Sequence, residues 1–360
     1  MPATPSAFDS IESVVADIRA GKIVLVTDDA DRENEGDLVC AAETITAAQV
    51  NFMATHGRGL ICAPLSEERA QQLSLNVMVQ RNREALSTNF TVSVDAAQGI
   101  TTGISAADRA RTLNLLAAPQ SQPTDLVQPG HVFPLIAKRG GVLRRAGHTE
   151  AAIDLTSLAK LQPAAVICEI MSSDGTMARL PELLKFAQTH QLKICSIADL
   201  IEYRRARERL VELEKITPLQ TAFGEFKVHL YRSKLDQTQH LALVRGNVQD
   251  GQPVLTRVHV ENLIEDTLKG TDSSLQLALK RIAEANRGVL VYLRLPDSGL
   301  GSGLGLHAEN APGKGLRDYG MGAQILSDLG IKQLKLLTNR NPKVIGLQGH
   351  QLEIIELVAL

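Results

Sequence analysis

Residues Asp29 to Val39 read DADRENEGDLV, five carboxylates and one arginine within eleven positions, directly after the apolar run KIVLVTD. Carboxylates crowded in this way repel and raise one another's pKa, and a divalent cation removes that penalty. Mg2+ takes oxygen ligands and is usually held by one or two carboxylates together with substrate oxygens. Arg32, inside the cluster, has the forked donor geometry that grips a phosphate or carboxylate. A solvated turn with idle charges is the competing reading, and the stretch alone leaves both open.

Three other stretches carry compatible chemistry. PGHVFPL sets His131 in a segment that reads as a loop framed by Gly and Pro. RRAGHTEA puts Arg145, Ala146, Gly147, His148 and Thr149 at the start of a helix, where backbone N–H groups, a basic side chain and a hydroxyl suit a phosphate. CEIMSSDG places Glu169 at the C-terminal end of a strand, where mixed folds often put reactive groups. Taken singly, each His is more often structural and each Glu more often solvated; only their combination tips the balance.

The elements that must position these residues can be read from pattern. Asp9 to Ala20 predicts a helix with an Asp9/Glu12 capping box and an apolar stripe of Ile11, Val14, Val15 and Ile18. Strands are expected at Ile23–Thr27, Thr91–Asp95, Ala164–Glu169 and Lys193–Ser196, with helices after Pro181 and from Ile197. YRRARERLVELEK, Tyr203 to Lys215, reads as a charged helix carrying the chain between two domains. A second mixed unit follows. Its strands fall near Phe226–Tyr231, Ala242–Arg245, Val254–His259, Val289–Arg294 and Leu334–Thr338, its helices after Asp272 and over Met321–Leu329, and a Gly-rich loop over Ser298–Gly305. The fold class expected is α/β to α+β, in two mixed domains spanning 1–205 and 206–360.

Composition bounds the function. The chain has 360 residues, 44% hydrophobic and 22% charged, which suffices for two cores; with 3% aromatics and no Trp those cores are aliphatic. A net charge of −2 argues for neither nucleic acid nor a membrane surface. No apolar run approaches the ~20 residues of a membrane span. The start MPATPSAFDS lacks the features of a secretory signal. The four cysteines, Cys40, Cys62, Cys168 and Cys195, form no CxxC and read as buried reduced thiols of a cytoplasmic protein.

The motifs DRENEGDLV, STNFTVSVD, TTGISAADRA, PGHVFPL, RAGHTEA and CEIMSSDGTMAR, in this order, resemble 3,4-dihydroxy-2-butanone 4-phosphate synthase of riboflavin biosynthesis, from about residue 8 to 205. The resemblance implies a lyase that converts ribulose 5-phosphate to 3,4-dihydroxy-2-butanone 4-phosphate and formate. It implies Mg2+ held by Glu33 and His148, and substrate contacts from Arg32, Glu33, Asp37, Arg145, Ala146, Gly147, His148, Thr149 and Glu169. It further implies that His131 and Glu169 are essential to catalysis, and that the protein is a homodimer with active sites near the subunit interface. Composition alone leaves Mn2+ and Zn2+ open beside Mg2+; the family pattern favours Mg2+, with Mn2+ as a substitute. A reaction that takes a proton from beside a carbonyl builds charge on neighbouring oxygens, which a bound metal stabilises as a Lewis acid.

From about Leu210 onward, TAFGEFKVHLY, PVLTRVHVEN, RGVLVYLR, RDYGMGAQILSDLG and LKLLTN resemble GTP cyclohydrolase II. That family holds Zn2+ with three cysteines, and the thiolates are what bind the ion. Here Asn262 stands at the first of those positions, and no cysteine follows Cys195. Pro296, Asp297 and Ser298 replace the family's Glu-Gly-Arg, and Gly315-Leu316-Arg317 keeps the Arg of its Asp-x-Arg but loses the Asp. TNRNPK has an extra residue before Lys343, while Arg257, Glu261 and Thr338 persist. The expectation is a folded domain without zinc and without GTP hydrolysis. Its role could be to stabilise the dimer, or to regulate as a nucleotide- or flavin-binding module. A bifunctional enzyme is the alternative.

Overall fold

The structure, a computed structural model, describes residues 7–83, 88–268, 270, 273–294, 314–339 and 352–360, with the backbone alone for 314–320. It divides into two compact units, Met1–Tyr203 and Arg204–Leu360.

The first unit is a seven-stranded mixed sheet with spatial order β4-β5-β3-β6-β2-β1-β7. Its strands are β1 (Val24–Thr27), β2 (Gly36–Ala41), β3 (Cys62–Leu65), β4 (Val94–Ala96), β5 (Leu126–Ile136), β6 (Ala165–Glu169) and β7 (Ile194–Ser196). The central strands are buried on both faces, which is why they read as unbroken apolar runs. Leu25, Leu38, Cys40, Val166 and Cys168 face one core, and Val24, Val26, Val39, Ala165 and Ile167 face the other. Helices α2 (Ala47–Phe52), α3 (Glu67–Gln72), α4 (Ala106–Ala117) and α6 (Leu180–His190) cover the first face, through residues such as Leu113 and Leu183. Helices α1 (Ile11–Arg19), α5 (His148–Leu158) and α7 (Ile197–Arg207) cover the second, through Val14, Leu155 and Leu200. Each such fully buried aliphatic side chain contributes about 1.5–3 kcal/mol of transfer free energy.

The second unit is another seven-stranded sheet, ordered β14-β13-β11-β12-β10-β9-β8. Its strands are β8 (Val211–Thr221), β9 (Gly224–Ser233), β10 (Gln239–Arg245), β11 (Val254–Val260), β12 (Gly288–Leu293), β13 (Gln333–Leu337) and β14 (Glu353–Val358). Helix α8 (Leu263–Leu268) follows β11, while α9 (Ser274–Glu284) and α10 (Lys314–Asp328) precede β12 and β13. Leu279 and Ile282 of α9 pack one face of the sheet, and Ile325 and Leu326 of α10 pack the other. The two mixed α/β sheets match the expected fold class.

Three local expectations are corrected. Ser10, not Asp9, caps α1 by accepting the Ser13 N–H; the Asp9 carboxylate accepts the Ile194 N–H and ties the chain to β7. PGHVFPL is not a loop but part of β5, where Phe133 pairs with Cys62 of β3. The helix expected over Tyr203–Lys215 stops at Arg207, and Val211–Lys215 begins β8, an exposed edge strand paired only with β9. Helix propensity in VELEK is a weak prior that the β9 ladder overrides. Ser298–Gly305, Pro296–Ser298 and Lys343 lie outside the described residues.

Candidate active site

The acidic stretch is the hairpin loop between β1 and β2, and its crowding is resolved by one residue the motif reading passed over. Asp28, the last residue of KIVLVTD, accepts the Glu33 N–H at 3.0 Å and the Arg32 Nη1 at 2.9 Å on Oδ2, and the Glu35 N–H at 2.8 Å on Oδ1. Arg32 also reaches the Glu33 carboxylate, so one guanidinium bridges two of the crowded acids. The loop thereby holds Glu33 over the end of β2.

His148, the first residue of α5, closes on that loop. Its Nδ1 lies 3.7 Å from Glu33 Oε2 and 3.8 Å from Asp37 Oδ1. Asp28, Glu33 and His148 each offer a ligand atom, all within 4.8 Å of one another. Asp37 pairs with Glu169 across the β2–β6 ladder, which brings the end of β6 to the same place. Burial, reinforced by Glu169 and Glu33, pushes the Asp37 carboxyl up to about 7. Burial also disfavours the His148 imidazolium, but Asp37, Glu33 and Asp28 outweigh it and push His148 up to about 9. The Glu33 carboxyl, raised by burial, ends below the usual range because His148 and Arg32 stabilise its anion.

These residues fit a divalent cation. Asp37 Oδ1 and His148 Nε2 are buried and have no hydrogen-bond partner, which is costly unless something else satisfies them. Carboxylate oxygens with one imidazole suit Mg2+ or Mn2+.

Glu169, at the end of β6, accepts the Leu60 N–H at 2.7 Å on Oε2. A Cβ on Gly59 would lie 2.4 Å from that oxygen, so only glycine leaves room for it. Arg145 is pinned to α5: its Nη1 donates to Glu150 Oε2 at 2.7 Å and its Nη2 to Thr88 Oγ1 at 2.8 Å. Glu150, almost wholly buried, also accepts the Lys138 N–H. Gly147 caps α5 without a side-chain bond, and Ala146 and Thr149 flank it at the helix start, the end that favours anions.

His131 stands apart from this group. It lies two residues before Phe133, and Glu169 two residues after Ile167; both Phe133 and Ile167 pair with Cys62. His131 and Glu169 are therefore level with each other but separated by β3, about 10 Å at ordinary strand spacing. The partner of His131 is Asp95, which the motif reading did not single out: Nδ1 lies 2.6 Å from Asp95 Oδ2, and the His131 N–H donates to Oδ1 at 2.9 Å. Gly103 presses on this pair; its φ is +95°, and a Cβ there would lie 2.1 Å from Asp95 Oδ2 and 2.6 Å from His131 Nδ1. Asp108 anchors that loop by accepting the Thr101 hydroxyl at 2.7 Å and the Gly103 N–H at 3.1 Å. Gly103→Ala is expected to displace His131 and lower kcat on the order of 100-fold. The same change should destabilise the fold by about 1–3 kcal/mol. Formate release and a thermal melt on one sample check both.

Among the described residues of the second unit, no three metal-ligating side chains converge. Asn262 uses its Oδ1 to accept the Glu265 N–H and start α8. Asp266 is fully engaged: Oδ1 meets His259 Nε2 at 2.8 Å, and Oδ2 accepts the Tyr292 hydroxyl at 2.9 Å and the Asn262 N–H at 3.1 Å. Burial holds His259 below its usual pKa despite Asp266, so a neutral ring donates Nε2–H to the carboxylate. The cluster satisfies itself, and no thiolate is available after Cys195.

A mixed sheet that gathers carboxylates at its strand ends, with an imidazole at an anion-favouring helix start, defines a candidate cation site beside a candidate phosphate site. The chain belongs to the 3,4-dihydroxy-2-butanone 4-phosphate synthase family, joined to a GTP cyclohydrolase II-type domain: the two family profiles match residues 12–203 and 212–359. It is thus a lyase of riboflavin biosynthesis. The riboflavin biosynthesis protein RibBA of Synechocystis is 50% identical over 376 aligned positions, covering 98% of this chain and 68% of that protein. The crystal structure of RibBX, a two-domain 3,4-dihydroxy-2-butanone 4-phosphate synthase from A. baumannii, superposes with a TM-score of 0.83 at 45% identity, covering 95% of this chain and 96% of that one. A 3,4-dihydroxy-2-butanone 4-phosphate synthase crystallised with two magnesium ions superposes with a TM-score of 0.54 at 46% identity, covering 56% of this chain and 98% of that one. No described helix is long and apolar enough to cross a membrane.

Proposed function

We propose that residues 1–205 convert ribulose 5-phosphate to 3,4-dihydroxy-2-butanone 4-phosphate and formate with Mg2+, which Mn2+ can replace, and that residues 206–360 do not hydrolyse GTP. The observation that carries the first half is the convergence of Asp28, Glu33 and His148 beside the unpartnered atoms of Asp37 and His148. Glu33 and His148 would hold the ion, with Asp28 ordering the loop around it. When bound, the ion supplies Lewis-acid stabilisation to charge developing on substrate oxygens.

The chain's own groups do the rest. Arg145, fixed by Glu150, and the first-turn backbone N–H groups of α5, from His148 and Thr149, bind the phosphate. Arg32 and Asp37 orient the polyol end. Glu169, with Oε2 fixed by the Leu60 N–H, presents Oε1 for proton transfer next to Asp37. His131, with Nδ1 turned to Asp95, presents Nε2 as a second proton carrier. Because β3 separates His131 from Glu169, a subunit interface that brings another copy's groups to this edge fits a homodimer; exposed Val77, Met78, Val79 and Val127 along the same edge support that reading.

A bifunctional enzyme is the second reading, and the match of residues 212–359 to GTP cyclohydrolase II favours it. One sample separates the two. Formate is expected from ribulose 5-phosphate with Mg2+ and none from GTP, with sub-stoichiometric zinc by elemental analysis and sedimentation at twice the chain mass. One zinc per chain together with GTP turnover defeats the single-activity reading.

A further inference from the structure

The motif CEIMSSDGTMAR ends on Arg179, to which no role has been given. Arg179 is the N-cap residue of α6, and its guanidinium leaves that helix to grip the acidic loop from the side opposite Asp28. Its Nη1 donates to the carbonyl of Glu33 at 2.8 Å and to the carbonyl of Asn34. Asn34 has φ of +56°, a left-handed turn that aims these two carbonyls outward. Two residues on, a Cβ at Gly36 would lie 2.7 Å from Leu183 of α6, so the loop and the helix start are in direct contact. The N–H groups of Glu33 and Glu35 are held by Asp28, and the carbonyls of Glu33 and Asn34 by Arg179. The backbone that carries the Glu33 carboxylate is thus fixed on both sides.

We infer that Arg179 is a positioning residue for the divalent ion: it does not touch the reacting atoms, but clamps the backbone of Glu33 so that its carboxylate faces His148 Nδ1. The inference rests on the reading of Glu33 and His148 as the metal ligands. A loop bearing five acids swings away from itself when nothing opposes the repulsion, and the guanidinium both tethers the loop and places a positive charge against it. Loss of such an outer partner typically costs 10–100-fold in metal affinity.

Mn2+ binding to the full-length protein, read from the electron paramagnetic resonance of the free ion, tests this without turnover. Arg179→Met is expected to weaken Mn2+ binding about 10–100-fold with the circular dichroism unchanged. Arg179→Lys, which keeps the charge and one donor, is expected to recover part of the affinity. Glu33→Gln is the control. If Glu33→Gln leaves Mn2+ binding intact, the assignment of the metal ligands fails and the inference with it. If Glu33→Gln abolishes binding and Arg179→Met does not weaken it, the positioning role alone is overturned. A raised KM for ribulose 5-phosphate at unchanged Mn2+ affinity also overturns it, by making Arg179 a substrate contact.

Discussion

Formate release from ribulose 5-phosphate is expected to fall at least about 100–1,000-fold when Glu33 is replaced by Gln, the range seen when one preorganised electrostatic contact is removed from a transition state. Gln keeps the shape and can still accept from Arg32, so the hairpin held by Asp28 should survive. What is lost is the anion that faces His148 Nδ1 at 3.7 Å. His148→Ala should reduce turnover by a comparable factor, because it removes the only nitrogen ligand in the group. The double variant should be little worse than either single one, since ligands of one ion act as a unit. Rates with Mg2+ and Mn2+, together with Mn2+ affinity and a thermal melt, check the prediction. Near-normal turnover in either variant would remove the metal site from the mechanism.

The second large effect is expected at a pair that no motif spacing announces. His131→Ala should lower kcat about 10²–10⁴-fold, the usual contribution of a positioned proton carrier. Asp95→Asn should lower kcat as well while leaving His131 in place. The carboxylate at 2.6 Å from Nδ1 fixes the tautomer that leaves Nε2 free to accept a proton, and an amide can instead turn its NH2 toward the ring. Asp95 is a positioning residue, so its signature is a lowered kcat with the KM for ribulose 5-phosphate little changed. A flat kcat across both variants would show that the pair is structural.

Much of this site was legible from residue types. His148 and Glu169 stand out by residue type and position, and the family resemblance points to Glu33 and Asp37 within the acidic stretch; the structure brings the four together at the ends of β2, β6 and α5. The start of α5 was legible because RRAGHTEA combines a glycine cap with a helix-forming run. Asp28 was overlooked because, read along the chain, it merely ends an apolar strand; its three hydrogen bonds exist only once the β1–β2 hairpin folds back. Asp95 was overlooked because it lies 36 positions from His131 and meets it through the β4–β5 ladder. PGHVFPL reads as a loop because Pro and Gly break isolated strands, whereas Pro129 and Gly130 here sit beside a register shift between Val94 and Asp95.

By itself, the sequence determined which atoms were available. It supplied hard oxygens and imidazoles in the first unit, thiols confined to the first 195 residues, and apolar runs long enough for buried strands in both units. Those are properties of side chains, and folding cannot add a ligand that the chain lacks. Only the tertiary structure decided which of them meet. Sheet register placed Asp37 opposite Glu169 and left His131 beyond β3, and in the second unit it set His259 beside Tyr292, where Asp266 of α8 meets both. The reason is that strand pairing joins residues tens to more than a hundred positions apart, and neither the partner nor the register of a strand is encoded in its own local pattern.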